Sequence, residues 1–351
     1  MTTEAILTAP RVERGWHSWP LVKQIRQSIG LQRGMLIAGL VLVFAFVVVA
    51  LFAPLLAPYG FSALSGPDGD FGSLQAPSAA HPFGTTIAGY DVLSRVIWGA
   101  RTAFLVIAIA VISSIFLGSF LGLLSGYLGG WLDRVLVMLA DAIFAFPSLL
   151  LAIVLSIVIS GGQSSLWGGI WAASLSITVV FIPQYLRVVR SEVIRVKAEA
   201  YVESARVVGA SHLRIMFRHV MRNSTRSLPL VFTLNASEAI LTLAGLGFLG
   251  FGIEPNSAAE WGYDLNKAIA DVTNGVWWTS LWPGIAIVLV VMGLTLTGES
   301  LNDLSDPRLR SRRRAKAGSG VVANTSMLET VGIAGQEPDP NVGAAQDGNA
   351  R

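Results

Sequence analysis

Six apolar runs, each about as long as the hydrocarbon core of a bilayer demands, recur along this sequence and constrain its folding more than any other feature. About 20 residues at a helical rise of about 1.5 Å cover a core of about 30 Å. The runs lie at roughly 34–57 ("GMLIAGLVLVFAFVVVALFAPLLA"), 102–127, 134–159, 168–188, 228–250 and 279–300. The third contains Asp141 and Pro147, and the fifth is Gly-rich and interrupted by Asn235 and Glu238. The pattern predicts an all-α, polytopic membrane protein with six transmembrane helices. Charge agrees with it. Only 13% of residues are charged and 53% are hydrophobic, whereas soluble domains carry about 25% charged residues. The absence of cysteine excludes disulfides, thiol catalysis and cysteine-ligated metals. The first apolar run starts near Gly34 and is too long for a signal-peptide core, so it reads as an uncleaved anchor.

The net charge of +3 is uninformative, but its distribution is not. Basic residues cluster before the first run (Arg11, Arg14, Lys23, Arg26, Arg33), after the fourth (from Arg187 to Arg226) and after the sixth (Arg308 to Lys316). The loop between the fifth and sixth runs has Glu254, Glu260, Asp264 and Asp271 against one Lys267. With six spans, every basic cluster falls on one side, which the positive-inside rule makes cytoplasmic together with both termini. The expected organisation is a cytoplasmic tail over 1–33, a first transmembrane helix over 34–57 and an extracytoplasmic loop over 58–101. A five-helix core over 102–300 follows, then a cytoplasmic tail over 301–351 that is disordered from about residue 317.

One charged segment lies between two of the greasiest stretches: "EAYVESARVVGASHLRIMFRHVMRN", Glu199 to Asn223. Its first ten residues lack Gly and Pro and suit a helix. Gly209 interrupts the pattern, which then resumes, so the segment predicts two short helices joined at a glycine bend with small Ala205 and Ala210 beside it. On composition alone a basic loop that only fixes topology is the preferred reading.

Its spacing adds something. Glu203-Ser204-Ala205, three residues, then Gly209 resembles the "EAA" signature of ABC importer permeases. Other segments match in order. "HPFGTTIAGYDVLSRVIWGARTAF" (His81–Phe104), "DRVLVMLADAIFAFPSLLLAIVL" (Asp133–Leu155), "GLGFLGFGIEPNSAAEWG" (Gly245–Gly262) and "GESLNDLSDPRLR" (Gly298–Arg310) resemble segments of the C-type permease subunits of dipeptide, oligopeptide and nickel importers. The resemblance covers roughly 34–310 and implies the type I importer permease fold. It implies that the elbow over 199–222 is a coupling helix contacting a cytoplasmic ATPase, with Glu199, Glu203, Ser204, Ala205, Arg206, Gly209, Ala210 and Ser211 as its coupling residues. It also implies a second homologous permease, two ATPase subunits that bind the ATP and magnesium, and an extracytoplasmic solute-binding protein. Short peptides are the implied substrate, with nickel or another small solute as the alternative. The chain departs from the family pattern at Tyr90, where Arg is usual, at Leu243 and Gly247, where Glu and Ser are usual, and at Met221-Arg222, where the elbow usually closes with Leu-Pro.

Ionisable groups within a span cost roughly 2.5–3.5 kcal/mol and face a partner or a watery cavity. Asn235, Glu238 and Asp141 are therefore candidates for lining a translocation path. Asp141 also suits a structural role near a helix end, and Asn235 shares a helical face with Glu238. Pro147, Pro183 and Pro283 predict kinks. No phosphate-binding loop, zinc-protease motif or serine-nucleophile elbow occurs, so no catalytic site, cofactor or metal is expected in this chain, nor a nucleic-acid partner. Arg308–Arg314 could meet anionic lipid headgroups, though a topology signal explains the run as well. An ion-driven secondary transporter would call for more intramembrane charge pairs and for inverted repeats, which are not evident here.

Overall fold

The computed structural model describes residues 31–305, apart from 68, 162–165 and 226. Arg11, Arg14, Lys23 and Arg26 of the N-terminal tail, the run Arg308–Arg314 and the tail from 317 lie outside the described residues, whereas Arg33 falls in the first helix. Among the described residues, five helices are long and apolar enough to cross a membrane, or six if one sharply bent pair is a single span.

Helix α1 (Leu31–Leu51) ends earlier than the apolar run that encodes it, and a one-turn helix α2 (Ala53–Leu56) follows after a break at Phe52. Pro54 explains the break: continuing α1 through it would remove a backbone donor and drive its ring against the carbonyl four residues back.

Residues 58–91 carry an ordered connection with a small antiparallel hairpin, β1 (Ser65–Gly66) and β2 (Gly69–Asp70). Its end is tied down by Asp91. One carboxylate oxygen lies 2.9 Å from Nδ1 of buried His81, and the other accepts the Ser94 amide at 2.7 Å, capping the next helix. That helix, α3 (Val92–Leu128), therefore starts ten residues before the expected position 102. The charged residues that made 92–101 look like loop are accommodated: Arg95 is buried in an ion pair, and the Arg101 guanidinium lies 5.5 Å from the Trp98 ring centroid.

The third apolar run is not one straight helix. Helices α4 (Gly130–Phe144) and α5 (Ser148–Ser160) meet at a 98° bend around Pro147. Helix α6 (Leu166–Lys197) carries Pro183 within it and packs along α3, the most extensive pairing in the bundle. Glycines permit that closeness. A Cβ at Gly118 would stand 2.5 Å from the Tyr185 Cβ, one at Gly122 would stand 2.6 Å from the Leu186 carbonyl, and one at Gly126 would stand 2.8 Å from Val193 Cγ1. Small residues every fourth position on one helix face let two backbones approach in this way.

Helix α10 (Leu228–Phe248) packs on α3, α5 and α6. The acidic segment after it was expected as a loop, but it contains helix α11 (Trp261–Thr273). Glu260 caps that helix, its carboxylate accepting the Gly262 and Tyr263 amides at 2.8 and 2.7 Å. Helix α12 (Trp278–Ser305) completes the bundle. Its first turns are held to the 58–91 connection by the Trp278 indole, which donates to the Thr85 carbonyl at 3.1 Å, and by Phe83 stacked on Trp282 at 3.9 Å.

Candidate functional sites in the elbow and the bundle

The segment from Glu199 forms the helix–turn–helix that its sequence predicts. Helix α7 (Ala200–Val207) ends in a Schellman motif: the Ala210 amide donates to the Ala205 carbonyl at 3.0 Å, and the Gly209 amide to Arg206 at 3.0 Å. This closure needs a left-handed residue, and Gly209 has φ +86°. Ala205 and Ala210, the pair that flank a Schellman turn, both pack against a buried cluster. Ser211 then caps the one-turn helix α8 (His212–Arg214), which runs on through a π-helical stretch (Ile215–Val220) into α9 (Met221–Ser224). With Met221-Arg222 in place of the usual Leu-Pro, helix continues through these positions, and the Met221 amide donates to the Met216 carbonyl.

The elbow is rooted rather than dangling. Val202, Ile215, Met216 and Val220 join Leu123 and Tyr127 of α3 and Val189, Val193 and Val196 of α6 in a second hydrophobic core. Lys197 donates to the Tyr127 carbonyl at 2.7 Å, and the Tyr127 hydroxyl lies 3.4 Å from His212 Nδ1. Arg190 of α6 forms a two-pronged pair with Asp133 of α4 beneath it.

What the elbow shows to the outside follows from this. Val202 turns inward, while Glu199, Glu203, Ser204, Arg206, Gly209 and Ser211 are exposed. Among the described residues Glu203 and Arg206 make no side-chain hydrogen bond or ion pair. Glu199 stands 3.9 Å from Arg195, and the Ser204 hydroxyl bonds back to the Ala200 carbonyl. Val207 and Val208, at the tip, are 83% and 88% exposed, and Leu213 is 67% exposed. Sequence reasoning passed over these three. The signal was two β-branched apolar residues directly before a bend glycine.

The three candidate path residues part company. Asp141 pairs with Arg187, which also lies 4.4 Å from the Phe144 ring centroid, so a local ionic contact accounts for it. Asn235 is only 1% exposed and faces the bundle interior. Glu238 lines an open cavity of about 270 Å³ with Gln184, Phe144, Phe146, Phe181 and Ser148, at the α4–α5 bend. Asn235 and Glu238 therefore do not share one opening, because the edge of the packed face runs between them. Glu238 sits between exposed Leu234 and Leu241 on the outer surface of a membrane helix. A carboxyl group there requires water or a protein partner.

A further polar centre, absent from the sequence reading, lies at the end of the bundle away from the elbow. Arg95 and Asp264, separated by 169 positions, form a buried pair with Nη2 2.6 Å from Oδ1, and the Arg95 guanidinium lies 5.0 Å from the Tyr90 ring centroid. The Trp261 indole donates to the Val96 carbonyl at 3.0 Å, so α11 is fastened to the first turns of α3 twice. Burial pushes the Glu260 carboxyl up to about 8, against the pull of the two amides it caps.

Residues 115–311 match the family model described as "Binding-protein-dependent transport system inner membrane component". Among curated proteins, the chain is 36% identical over 275 residues to the dipeptide transport system permease protein DppC of Alkalihalophilus pseudofirmus, covering 78% of this chain and 86% of that one. It is 34% identical over 277 residues to the glutathione transport system permease protein GsiD of Escherichia coli, covering 79% and 87%. The GsiD protein of Pectobacterium atrosepticum is 33% identical over 288 residues. The membrane helices, the elbow between α6 and α10 and these likenesses agree: the chain belongs to the inner membrane components of binding-protein-dependent transport systems, as a multi-pass C-type permease subunit of an ABC importer.

Proposed function

We propose that the chain forms one half of the pore of an ATP-driven importer of short peptides and receives the ATPase stroke through the elbow at 199–222. The observation that carries the coupling role is the tip itself. Two adjacent, almost fully exposed valines stand beside a glycine closure on a segment held by its own hydrophobic core. An apolar knob on a stiff root suits insertion into a groove of another protein, with Glu203 and Arg206 unengaged at its sides for polar contacts. Peptide import is supported by the relatives, whose names specify dipeptide and glutathione transport.

In this reading the elbow and both termini are cytoplasmic, and the 58–91 connection and α11 face the solute-binding protein. A second, homologous permease covers the Glu238 face, giving that carboxyl a polar surrounding along the path. Two ATPase subunits hold ATP and magnesium, and this chain carries out no bond chemistry. The test is affinity purification of the tagged chain in detergent, followed by mass spectrometry. The wild type brings down an ATPase and a second permease. Gly209→Pro, which removes the amide bonded to Arg206 and imposes negative φ, loses the ATPase but keeps the permease. Uptake of labelled dipeptide, glutathione and nickel by the assembled importer in vesicles then assigns the cargo. Recovery of the chain alone, with substrate movement independent of ATP, refutes the proposal.

A further inference from the structure

Between α11, the start of α12 and the turn at Thr86–Tyr90 lies a cavity of about 390 Å³, at the low end of the roughly 300–1,000 Å³ of small-molecule sites. Its charges are unequally matched. Asp264 on its wall is neutralised by Arg95. Asp271, about two turns further along α11, is not: it is only 2% exposed, and no described residue donates a hydrogen bond to its carboxylate. Thr279 also lines the cavity, and its buried hydroxyl has no hydrogen-bond partner. Lys267 stands at the rim over the Tyr263 ring, 5.3 Å from its centroid, and forms no ion pair with either aspartate. The cavity thus has an anionic floor and a cationic rim, four residues apart on one helix face, where Cβ atoms are about 5–6 Å apart.

The Asp271 carboxylate opens into the cavity and has no donor among the described residues, so a cation seated there would complete its pairing. The group that would satisfy Asp271 and Thr279 together is a compact cation with several N–H donors, which describes a primary ammonium. The rim lysine selects further, for a ligand that also carries an anionic group a short distance from the ammonium.

We propose that this cavity is a binding site for a small zwitterion of the amino-acid or short-peptide class, its ammonium on Asp271 and Thr279 and its carboxylate toward Lys267. The assignment rests on the peptide-import reading for the identity of the ligand. On that reading the cavity opens on the side where the binding protein delivers cargo, and it would hold the free amino end of a peptide before the pore opens.

The test is isothermal titration of the importer, purified with the subunits that accompany this chain, using glycyl-leucine, N-acetyl-glycyl-leucine and n-butylamine as probes. Glycyl-leucine binds, and acetylation of its amino group weakens binding at least about tenfold on the wild-type protein, a comparison that needs no mutant. Asp271→Asn weakens glycyl-leucine at least about tenfold. Thr279→Val has a smaller effect, and Lys267→Gln weakens glycyl-leucine while leaving n-butylamine unchanged. Equal binding of the free and acetylated peptides overturns the proposal, as does unaltered binding to Asp271→Asn. Dipeptide uptake that is undiminished in Asp271→Asn leaves peptide import standing and overturns the site. Ammonium binding that depends on Asp271, in an importer that moves no peptide, supports the site's chemistry and overturns the import reading.

Discussion

On the proposed docking role of the elbow, substitution of Gly209 offers a graded measure of how far that docking depends on the shape of the turn. Gly209 has φ +86°, and nothing lies within 4 Å of the place where a Cβ would go. A side chain there meets no neighbour, so its cost is purely that of the left-handed backbone, about 1–2 kcal/mol for an ordinary L-residue. Asn tolerates this region better than Ala, and a β-branched residue tolerates it worst. If docking needs the closed turn, that cost appears directly in affinity, as a roughly 5–30-fold loss for Gly209→Ala. Asn should lose less and Val more, and Pro adds loss of the amide bonded to Arg206. The assay is titration of the purified ATPase against detergent-solubilised permease by thermophoresis, with monodispersity confirming the fold of each variant. Affinities that fall in the order Gly, Asn, Ala, Val, Pro support the reasoning. Binding by Gly209→Val within about twofold of wild type refutes it, because the turn would then be dispensable for docking.

Gly122→Ala should cost about 1–3 kcal/mol by wedging α3 from α6, since its Cβ would lie 2.6 Å from the Leu186 carbonyl and 3.0 Å from the Val189 Cβ. Gly34→Ala, with nothing within 4 Å, should leave the thermal midpoint in detergent unchanged. Arg95→Met should destabilise by about 3–5 kcal/mol, because it strands the Asp264 carboxylate in the interior. The double variant Arg95→Met/Asp264→Leu should recover most of that loss in the same thermal assay. The Glu260 carboxyl is held at about 8 in the folded chain against 4.5 ordinarily, mainly by desolvation, so the folded state keeps a proton between those values that the unfolded chain gives up. The resulting stability is present below about 4.5 and lost as pH rises through about 8, so thermal midpoints should fall on going from about pH 5 to about pH 9. Glu260→Gln should flatten that fall.

The membrane helices and the elbow were legible because each is written locally, as apolar length in one case and as a glycine between two helical stretches in the other. The limits of the helices were less so. Residues 92–101 looked like loop because Arg95 and Arg101 are charged, and only the distant Asp264 makes Arg95 a core residue. Helix α11 was hidden in the same way, since the acidic residues of its segment read as solvated while Glu260, Asp264 and Asp271 are buried. The run at 134–159 showed its proline but not the 98° turn that Pro147 produces. Among the path candidates, the three-residue spacing of Asn235 and Glu238 gave a common face, but nothing local reveals that packing buries one and leaves the other open.

Helix α3 has 37 residues, about 55 Å at the usual rise; it packs along α6, most closely at the glycines Gly118, Gly122 and Gly126 near its C-terminal end. At one end Arg95 and Val96 hold α11, and at the other Tyr127 holds Lys197 and lies beside His212. Such a member acts as a strut. If the elbow receives load as proposed, α3 is the element that joins it to the cavity floor on the far side. On the proposed coupling and binding roles, elbow and cavity share a single stiff element, and a defect that softened α3 midway would leave both ends intact yet deaf to each other.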